Sequence, residues 1–153
     1  MQSKKGDRDV LLRRFKENNQ SVLFGAESFW EGVDVPGDAL MCVVIPNLPF
    51  PVPSEPLTEA RSAKLKEQGK DPFWDYSLPK CILRLKQGFG RLIRTVHDSG
   101  VVIILDSRTL HMKYGKVILE SLPPARLSTN LKDIQKIVLP VFADPDLKGG
   151  EAL

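Results

Sequence analysis

Short apolar runs and longer segments of helical period succeed each other along this chain. Residues 39–46 (Ala-Leu-Met-Cys-Val-Val-Ile-Pro) and 101–106 (Val-Val-Ile-Ile-Leu-Asp) are apolar without alternation, which is typical of strands covered on both faces of a parallel sheet. Residues 21–26 are predicted as a shorter buried strand. Because strand and helix patterns alternate, the chain is predicted to form an α/β sandwich with right-handed crossovers.

Helical periodicity predicts helices at residues 9–18, 57–68, 80–97, 110–122 and 131–138. We expect Gly69 to close the second, Pro123-Pro124 to stop the fourth, and Ser128 or Asn130 to cap the last. Residues 47–56, which hold four prolines, and residues 72–79, with Phe73, Trp74 and Tyr76, are predicted as loops. The domain is expected to cover residues 1–143, followed by a frayed tail at 144–153.

The helix predicted at 80–97 separates apolar from basic side chains. At about 100° per residue, its apolar residues (Ile82, Leu85, Phe89, Leu92, Ile93, Val96) lie opposite Gln87 and a cluster of cations (Lys80, Arg84, Arg91, Arg94). Residues 77–97 contain five Lys or Arg and no Asp or Glu, whereas a solvated helix face usually mixes signs. Either an anionic partner from outside this segment binds here, or the face is a plain basic surface or one that touches an acidic neighbour.

The same helix contains two glycines and a pair of arginines. Gly88 and Gly90 each cost about 1 kcal/mol relative to alanine, which suggests that another surface comes close. Arginine binds phosphate oxygens through two N–H groups and stays charged. Arg91 and Arg94, three residues apart, can reach one triphosphate together, and in phosphoryl transfer such arginines neutralise charge on the γ-phosphate.

Two more segments follow predicted strands, at the end where α/β sheets bind ligands. In residues 28–37 (Ser-Phe-Trp-Glu-Gly-Val-Asp-Val-Pro-Gly), Gly32 permits close backbone approach and Asp34 can accept a hydrogen bond from a ribose hydroxyl. Alternatively, this segment is a plain turn whose aromatic side chains belong to the core. In the second segment, Asp106-Ser107-Arg108, we expect Asp106 to cap the next helix; the alternative is that it orients one of the helix arginines.

The composition of the chain excludes some classes of protein and of site, but it does not identify a function. The 153 residues suffice for one domain with a core, and the net charge of +3 is too small to name a partner. No run of 18 apolar residues and no apolar leader occur, so we expect no membrane contact and a cytoplasmic location. Cys42 and Cys81 are predicted to be buried, reduced thiols, with no metal or iron–sulfur cluster in this chain. No Gly-x-x-x-x-Gly-Lys-Ser/Thr loop occurs, so the chain cannot assemble a P-loop ATP site alone.

In this order, these segments resemble the second RecA-like motor domain of superfamily 2 helicases, in the DinG/XPD branch. Residues 29–34 (Phe-Trp-Glu-Gly-Val-Asp) match motif V, and residues 87–94 match motif VI, Gln-x-x-Gly-Arg-x-x-Arg. Residues 48–61 are similar to the connection between the two motifs, and residues 106–108 to the Asp-x-Arg that follows. The resemblance runs from about residue 10 to residue 142. It implies a RecA-like three-layer sandwich with a mostly parallel sheet, expected here to lack its first strand.

The resemblance also implies roles for motif VI in an ATP-dependent DNA helicase. Arg91 and Arg94 would be arginine fingers that reach the γ-phosphate, and Gln87 would position them or the attacking water. ATP and Mg²⁺ would be bound mainly by a first RecA-like domain that this chain lacks, so the chain alone is expected to be inactive.

For motif V, the resemblance implies contacts to the nucleotide from Glu31, Gly32 and Asp34, and to single-stranded DNA from Ser28 and Trp30. The loops at residues 47–56 and 72–76 would lie near the same DNA. An incomplete sheet would expose an edge, from which we expect an edge contact, such as a homodimer. Two other interpretations stay open: a DinG-type protein joined to an exonuclease, whose motor binds nucleotide without unwinding, and a non-catalytic nucleic-acid-binding module.

Overall fold

The computed structural model describes residues 5–18, 20–25, 40–93, 100–130 and 132–136. Helices and strands alternate in it, as the predicted α/β class requires. The elements are α1 (Lys5–Glu17), β1 (Cys42–Ile45), α2 (Pro56–Glu67), a π-helical turn (Phe73–Ser77), α3 (Leu78–Leu92), β2 (Val101–Ile104), α4 (Arg108–His111) and α5 (Lys113–Ser121). Residues 132–136 add a short helical segment.

Strands β1 and β2 pair in parallel. The N–H of Val101 donates to the carbonyl of Met41 at 3.0 Å, and the N–H of Leu105 donates to the carbonyl of Ile45 at 2.9 Å, so both strands advance in the same direction. Helices α2 and α3 lie in the connection between them. This small parallel sheet is consistent with part of a RecA-like α/β domain.

Strand β1 is buried on one face only, so the prediction of cover on both faces is wrong for it. Ile45 is 1% exposed and Val43 is half-buried, whereas Val44 is 53% exposed and Cys42 is exposed as well. Successive side chains of a strand point to opposite faces, and no described element covers the face of Cys42 and Val44. The prediction of a buried Cys42 is wrong for the same reason.

Residues 21–25 do not form the predicted buried strand. Val22 and Phe24 are 78% and 91% exposed. A strand needs hydrogen bonds to a neighbouring strand, and the sheet of the described residues consists of β1 and β2. An apolar run without such a neighbour therefore stays irregular. Ala26, the last residue of the predicted strand, lies outside the described residues.

The chain divides into two compact units. The first comprises Met1–Val43, Gly90–Val102 and Arg126–Leu153, and the second comprises Val44–Phe89 and Ile103–Ala125. In the first unit, Leu92 is buried, and its side chain lies where a Cβ on Gly100 would come within 2.6 Å. The second unit contains a larger set of buried apolar side chains, which includes Ile45, Leu48, Leu78, Cys81, Leu85 and Ile118.

Helix α2 begins and ends as its sequence predicts. Pro56 occupies the first turn, where the missing N–H has no intrahelical partner to lose. At the other end Gly69 adopts φ +73°. Its N–H donates to the carbonyl of Lys66 at 3.0 Å, and the N–H of Lys70 donates to that of Leu65 at 2.9 Å. This pair of hydrogen bonds is a Schellman motif, in which glycine is favoured.

Residues 72–77 are helical, so the loop predicted at 72–79 is wrong. The carboxylate of Asp71 accepts the N–H groups of Phe73 at 2.7 Å and Trp74 at 3.3 Å, and so caps the segment. The N–H of Leu78 donates to the carbonyl of Phe73, one residue wider than in an α-helix. A proline inside a regular helix clashes with the preceding turn, and this wider turn accommodates Pro79.

The helix predicted at 110–122 is divided at Met112, which is extended (φ −95°, ψ 145°). Helices α4 and α5 approach each other closely there. A Cβ atom on Gly115 would overlap the carbonyl oxygen of Thr109, so the position requires glycine. Leu122 is extended immediately before the two prolines, as expected. Of the two predicted caps of the last helix, Asn130 acts through its side chain, which accepts the N–H of Lys132 at 3.0 Å.

Candidate functional site

Helix α3 carries the described part of the motif VI match. Its buried side is a single stripe of residues at helical spacing: Leu78, Cys81, Leu85, Gly88 and Leu92. Gln87 is exposed and Arg91 half-buried, and they lie one helical turn apart, off the stripe. The buried side of the helix is rotated relative to the predicted apolar face. Cys81, which was not predicted on that face, is 0% exposed, and Ile93, which was, is 40% exposed.

The two glycines of α3 have different surroundings. Gly88 is buried within the apolar stripe, whereas Gly90 is exposed. Among the described residues, no heavy atom lies within 4 Å of a Cβ built on Gly90. Gly88 therefore lies on the buried side of the helix. Gly90 alone leaves an open position beside Arg91.

The other predicted site residues fall outside the described residues. These are Arg94 of motif VI and the predicted nucleotide and DNA contacts of motif V: Ser28, Trp30, Glu31, Gly32 and Asp34. Of the eight residues predicted to form the site, the structure describes Gln87 and Arg91.

A dense set of hydrogen bonds surrounds Asp106, directly after β2. The guanidinium of Arg108 donates to both carboxylate oxygens, from Nε at 2.9 Å and from Nη2 at 2.6 Å. The N–H of Leu48 donates to Oδ2 at 2.8 Å, and the N–H of Arg108 to Oδ1 at 3.1 Å. The side chain of Asp106 is 6% exposed and that of Arg108 is 46% exposed. The carboxylate thus joins the segment after β1 to the segment after β2.

These contacts fix the charge of the pair. Chiefly the hydrogen bonds from the Arg108 side chain, together with those from the Leu48 and Arg108 backbone, hold the pKa of Asp106 well below its usual value, although burial acts in the opposite direction. The same hydrogen bond raises the pKa of Arg108. Asp106 is therefore an anion at every pH near neutrality, and a two-pronged arginine–carboxylate pair is among the strongest of its kind.

Asp106 makes the contacts of its predicted capping role and an ion pair that was not predicted from the sequence. It accepts the N–H of Arg108 in the first turn of α4, and its carbonyl accepts the hydroxyl of Thr109 at 2.7 Å, which agrees with a capping position. Among the described residues, its ion pair is with Arg108, which follows it by two positions. The Asp-x-Arg spacing was the signal that could have predicted this pairing.

The proline-containing segment after β1 is held by two further contacts. Arg84 of α3 donates from Nη1 to the carbonyl of Pro49 at 3.1 Å, and the guanidinium of Arg108 lies 5.5 Å from the ring centre of Phe50. The Phe50 ring also packs at 5.7 Å against both Phe73 and Tyr114. Sequence reasoning missed these roles of Arg84 and Tyr114, because contacts between residues distant in sequence leave no local pattern. The loop predicted at 47–56 is thus tethered at Leu48, Pro49 and Phe50.

Within the part of the chain that the structure describes, neither cysteine belongs to a group of side chains that could hold a metal ion. Burial raises the pKa of Cys81 to about 12, which makes it an inert thiol at neutral pH. The described residues contain no group of three or more His, Cys, Asp or Glu side chains that could hold a metal ion. Nor does the described part of the chain contain a helix that is long and apolar enough to span a membrane.

Comparison with known proteins assigns these features to one family. Residues 1–125 match the family model described as the helicase C-terminal domain. The chain is 49% identical over 128 residues to the ATP-dependent DNA helicase YoaA of Haemophilus influenzae, covering 84% of this chain and 20% of that protein. It is 44% identical over 123 residues to the 3'-5' exonuclease DinG of Bacillus subtilis, covering 80% of this chain and 13% of that protein.

A third relative is the ATP-dependent helicase DinG of Mycobacterium tuberculosis, 41% identical over 126 residues, or 82% of this chain and 19% of the relative. The chain thus spans about a fifth or less of the length of these relatives. The family match covers the whole segment from α1 through α5, including α3 with Gln87 and Arg91. The chain therefore belongs to the helicase C-terminal domain family, and within it is similar to proteins of the DinG and YoaA type.

Proposed function

We propose that this chain is the second motor domain of an ATP-dependent DNA helicase and that Arg91 and Arg94 act on the γ-phosphate of ATP held by a first motor domain. Gln87 positions these arginines or the attacking water. As transferred charge develops on the γ-phosphate oxygens, arginine N–H groups neutralise it, an effect of about 10³ to 10⁵ on the rate.

The observation that carries the proposal is the division of α3 into two sides. The buried residues Leu78, Cys81, Leu85 and Gly88 hold the helix in the second unit, and Leu92 is buried in the first. Gln87 and Arg91 lie off this stripe along the helix, with Gln87 exposed. A helix that is held by its buried side is a rigid base for side chains that must meet a nucleotide from outside the chain. Exposed Gly90, next to Arg91, leaves room for that approach.

The remaining assignments of this proposal concern motif V. Glu31, Gly32 and Asp34 contact the nucleotide, and Ser28 and Trp30 contact single-stranded DNA. ATP is bound with Mg²⁺ mainly by the first motor domain, because this sequence has no P-loop. The tethered segment at Leu48 to Phe50 and the aromatic turn at 73–77 belong to the DNA side of the motor.

The proposal is tested with Arg91→Ala and Arg94→Ala in the intact protein. Both changes are expected to abolish DNA-stimulated ATP hydrolysis and to leave the affinity for single-stranded DNA within about twofold of wild type. Lys86→Ala is the matched control, since Lys86 is an exposed cation on the same helix. A fall in DNA affinity with a flatter salt dependence, and with hydrolysis retained, would instead indicate a nucleic-acid-binding module.

One comparison favours a second candidate function. The Bacillus subtilis relative is named a 3'-5' exonuclease, so this motor domain can belong to a protein in which nucleotide binding serves a nuclease and no duplex is unwound. A strand-displacement assay separates the two candidates. Release of a labelled strand that depends on ATP hydrolysis supports the helicase, and ATP binding without strand release supports the second candidate.

A further inference from the structure

Two basic side chains from different helices converge on Tyr76, in the turn that precedes α3. The guanidinium carbon of Arg61, from α2, lies 5.4 Å from the centre of the Tyr76 ring. The ammonium of Lys80, from α3, lies 3.3 Å from the Tyr76 hydroxyl and 5.6 Å from the ring centre. The Lys80 nitrogen therefore lies beyond the hydroxyl end of the ring, while Arg61 is within the distance of a cation–π contact.

Within the described residues, neither of these cations forms an ion pair with a carboxylate. The ion pairs found there join Asp106 to Arg108 and Lys116 to Glu120, and neither involves Arg61 or Lys80. The carboxylate of Glu55 accepts a hydrogen bond from the Thr58 hydroxyl at 3.5 Å. Two like charges that share one ring repel each other, and an anion placed between them would offset that repulsion.

The polar neighbours of Tyr76 also act on its pKa. Partial burial acts to raise the pKa of Tyr76, but hydrogen bonds from Thr58 and Lys80 and the charges of Lys80 and Arg61 outweigh it, so that the pKa lies below its ordinary value. The Arg61, Tyr76 and Lys80 side chains thus form a small electropositive surface with an aromatic centre, the combination that single-stranded nucleic acids bind.

We propose that Arg61 and Lys80, held by Tyr76, bind backbone phosphates of single-stranded nucleic acid. The inference rests on the proposed function, because it assigns this surface to the DNA side of the motor. Arg61 is exposed, and Lys80 and Tyr76 are half-buried, so both cations can reach a strand without rearrangement of α2 or α3. Tyr76 positions the two cations, which make the phosphate contacts.

The test measures binding of a labelled oligothymidylate to the intact protein as a function of salt. Arg61→Gln/Lys80→Gln is expected to raise Kd about tenfold at 0.15 M salt and to reduce the slope of log K against log salt by about 1.4, which is two single-strand phosphate contacts. Arg61→Lys should keep the wild-type slope, because the charge is retained. Tyr76→Phe, which removes only the hydroxyl that holds Lys80, should weaken binding without changing the slope.

Lys116→Ala on α5 is the control for general loss of positive charge, and it should bind as wild type does. If the slope of log K against log salt is the same for Arg61→Gln/Lys80→Gln as for this control, the inference is overturned. This holds even if the affinity falls, because the loss of a phosphate contact must change the slope. The proposed function fails separately, if the wild-type protein neither binds the oligonucleotide nor hydrolyses ATP.

Discussion

Asp106 shows how one side chain connects two distant segments. Its carboxylate accepts the backbone N–H of Leu48, 58 positions earlier, and both ends of the Arg108 fork. Because the carboxylate is nearly fully buried, loss of its charge would leave the Leu48 N–H with a weaker acceptor and Arg108 without its counter-ion. The segment after β1 would then lose a principal tether.

Asp106→Asn is expected to lower the free energy of unfolding at pH 7 by about 2 kcal/mol, the scale of hydrogen bonds to a charged group. The native pKa of Asp106 lies below its ordinary value of 3.8. Its carboxylate therefore contributes its full stability above the unfolded pKa, and this contribution is lost as the pH falls towards the folded pKa. Urea unfolding from pH 7 to pH 3 should show a constant difference from wild type down to about pH 5 and a shrinking one below.

Glu67→Gln is the control for that experiment, since Glu67 is an exposed carboxylate at the end of α2. It should change the free energy of unfolding by less than about 0.5 kcal/mol at any pH in the range. A difference between wild type and Asp106→Asn that stays the same from pH 7 to pH 3 would contradict the assignment of the ion pair.

Among the elements, α3 joins the core to the proposed ATP-facing surface. A helix with glycine at an exposed position loses about 1 kcal/mol relative to alanine, and Gly90 is such a position, because a methyl group added there would have no described atom within 4 Å. Stability alone would favour alanine there. We infer that the glycine serves the approach of another surface to Arg91.

Gly90→Ala is therefore expected to raise the free energy of unfolding by up to about 1 kcal/mol while it lowers ATP turnover by the intact protein. Gly115→Ala gives the contrast: its methyl group would overlap the Thr109 carbonyl oxygen, so it should destabilise the fold by about 1–3 kcal/mol. Calorimetry and a steady-state ATPase assay measure the two effects. Wild-type turnover in a stabilised Gly90→Ala protein would contradict the close approach.

The elements also show which features the sequence alone could predict. Local chemistry was sufficient for the Gly69 end of α2 and the stop before Pro123. On α3 it placed Leu85 and Leu92 correctly in the buried stripe, but it missed Cys81 and placed the exposed Ile93 there. It failed at residues 72–77, where Asp71 caps a helical turn. The prolines and aromatic residues of this segment had indicated a loop. It also failed at residues 21–25, because whether an apolar run becomes a strand depends on a neighbour distant in the sequence.

The candidate site was predictable to a similar extent. Helical spacing placed Gln87 and Arg91 away from the apolar stripe, as the structure has them. The contacts of Arg84 with Pro49 and of Tyr114 with Phe50 join residues separated by 35 and more positions, and no local pattern encodes such pairs. For the same reason, the sequence did not predict that Arg61 and Lys80 both contact Tyr76.

For the whole molecule, the proposed function divides the ATP site between two domains. In the proposed function this chain supplies Arg91 and Arg94 while another domain supplies the P-loop, so the purified chain alone is expected to hydrolyse no ATP above background. Arg91→Ala in the isolated chain controls for contaminating ATPases, because any background should be identical in the two preparations. Turnover by the isolated chain that depends on Arg91 would contradict the division.

The role proposed for Arg91 is tested most directly by the ATP turnover of Arg91→Ala in the intact protein at saturating single-stranded DNA. Lys86→Ala is measured beside it as the control. An arginine that acts on the developing γ-phosphate charge contributes chiefly in the transition state. We predict that kcat falls by about 10³-fold or more, that the affinity for ATP changes by less than about tenfold, and that Lys86→Ala turns over at the wild-type rate. Turnover of Arg91→Ala within a few fold of wild type would contradict the claim that α3 supplies an arginine finger.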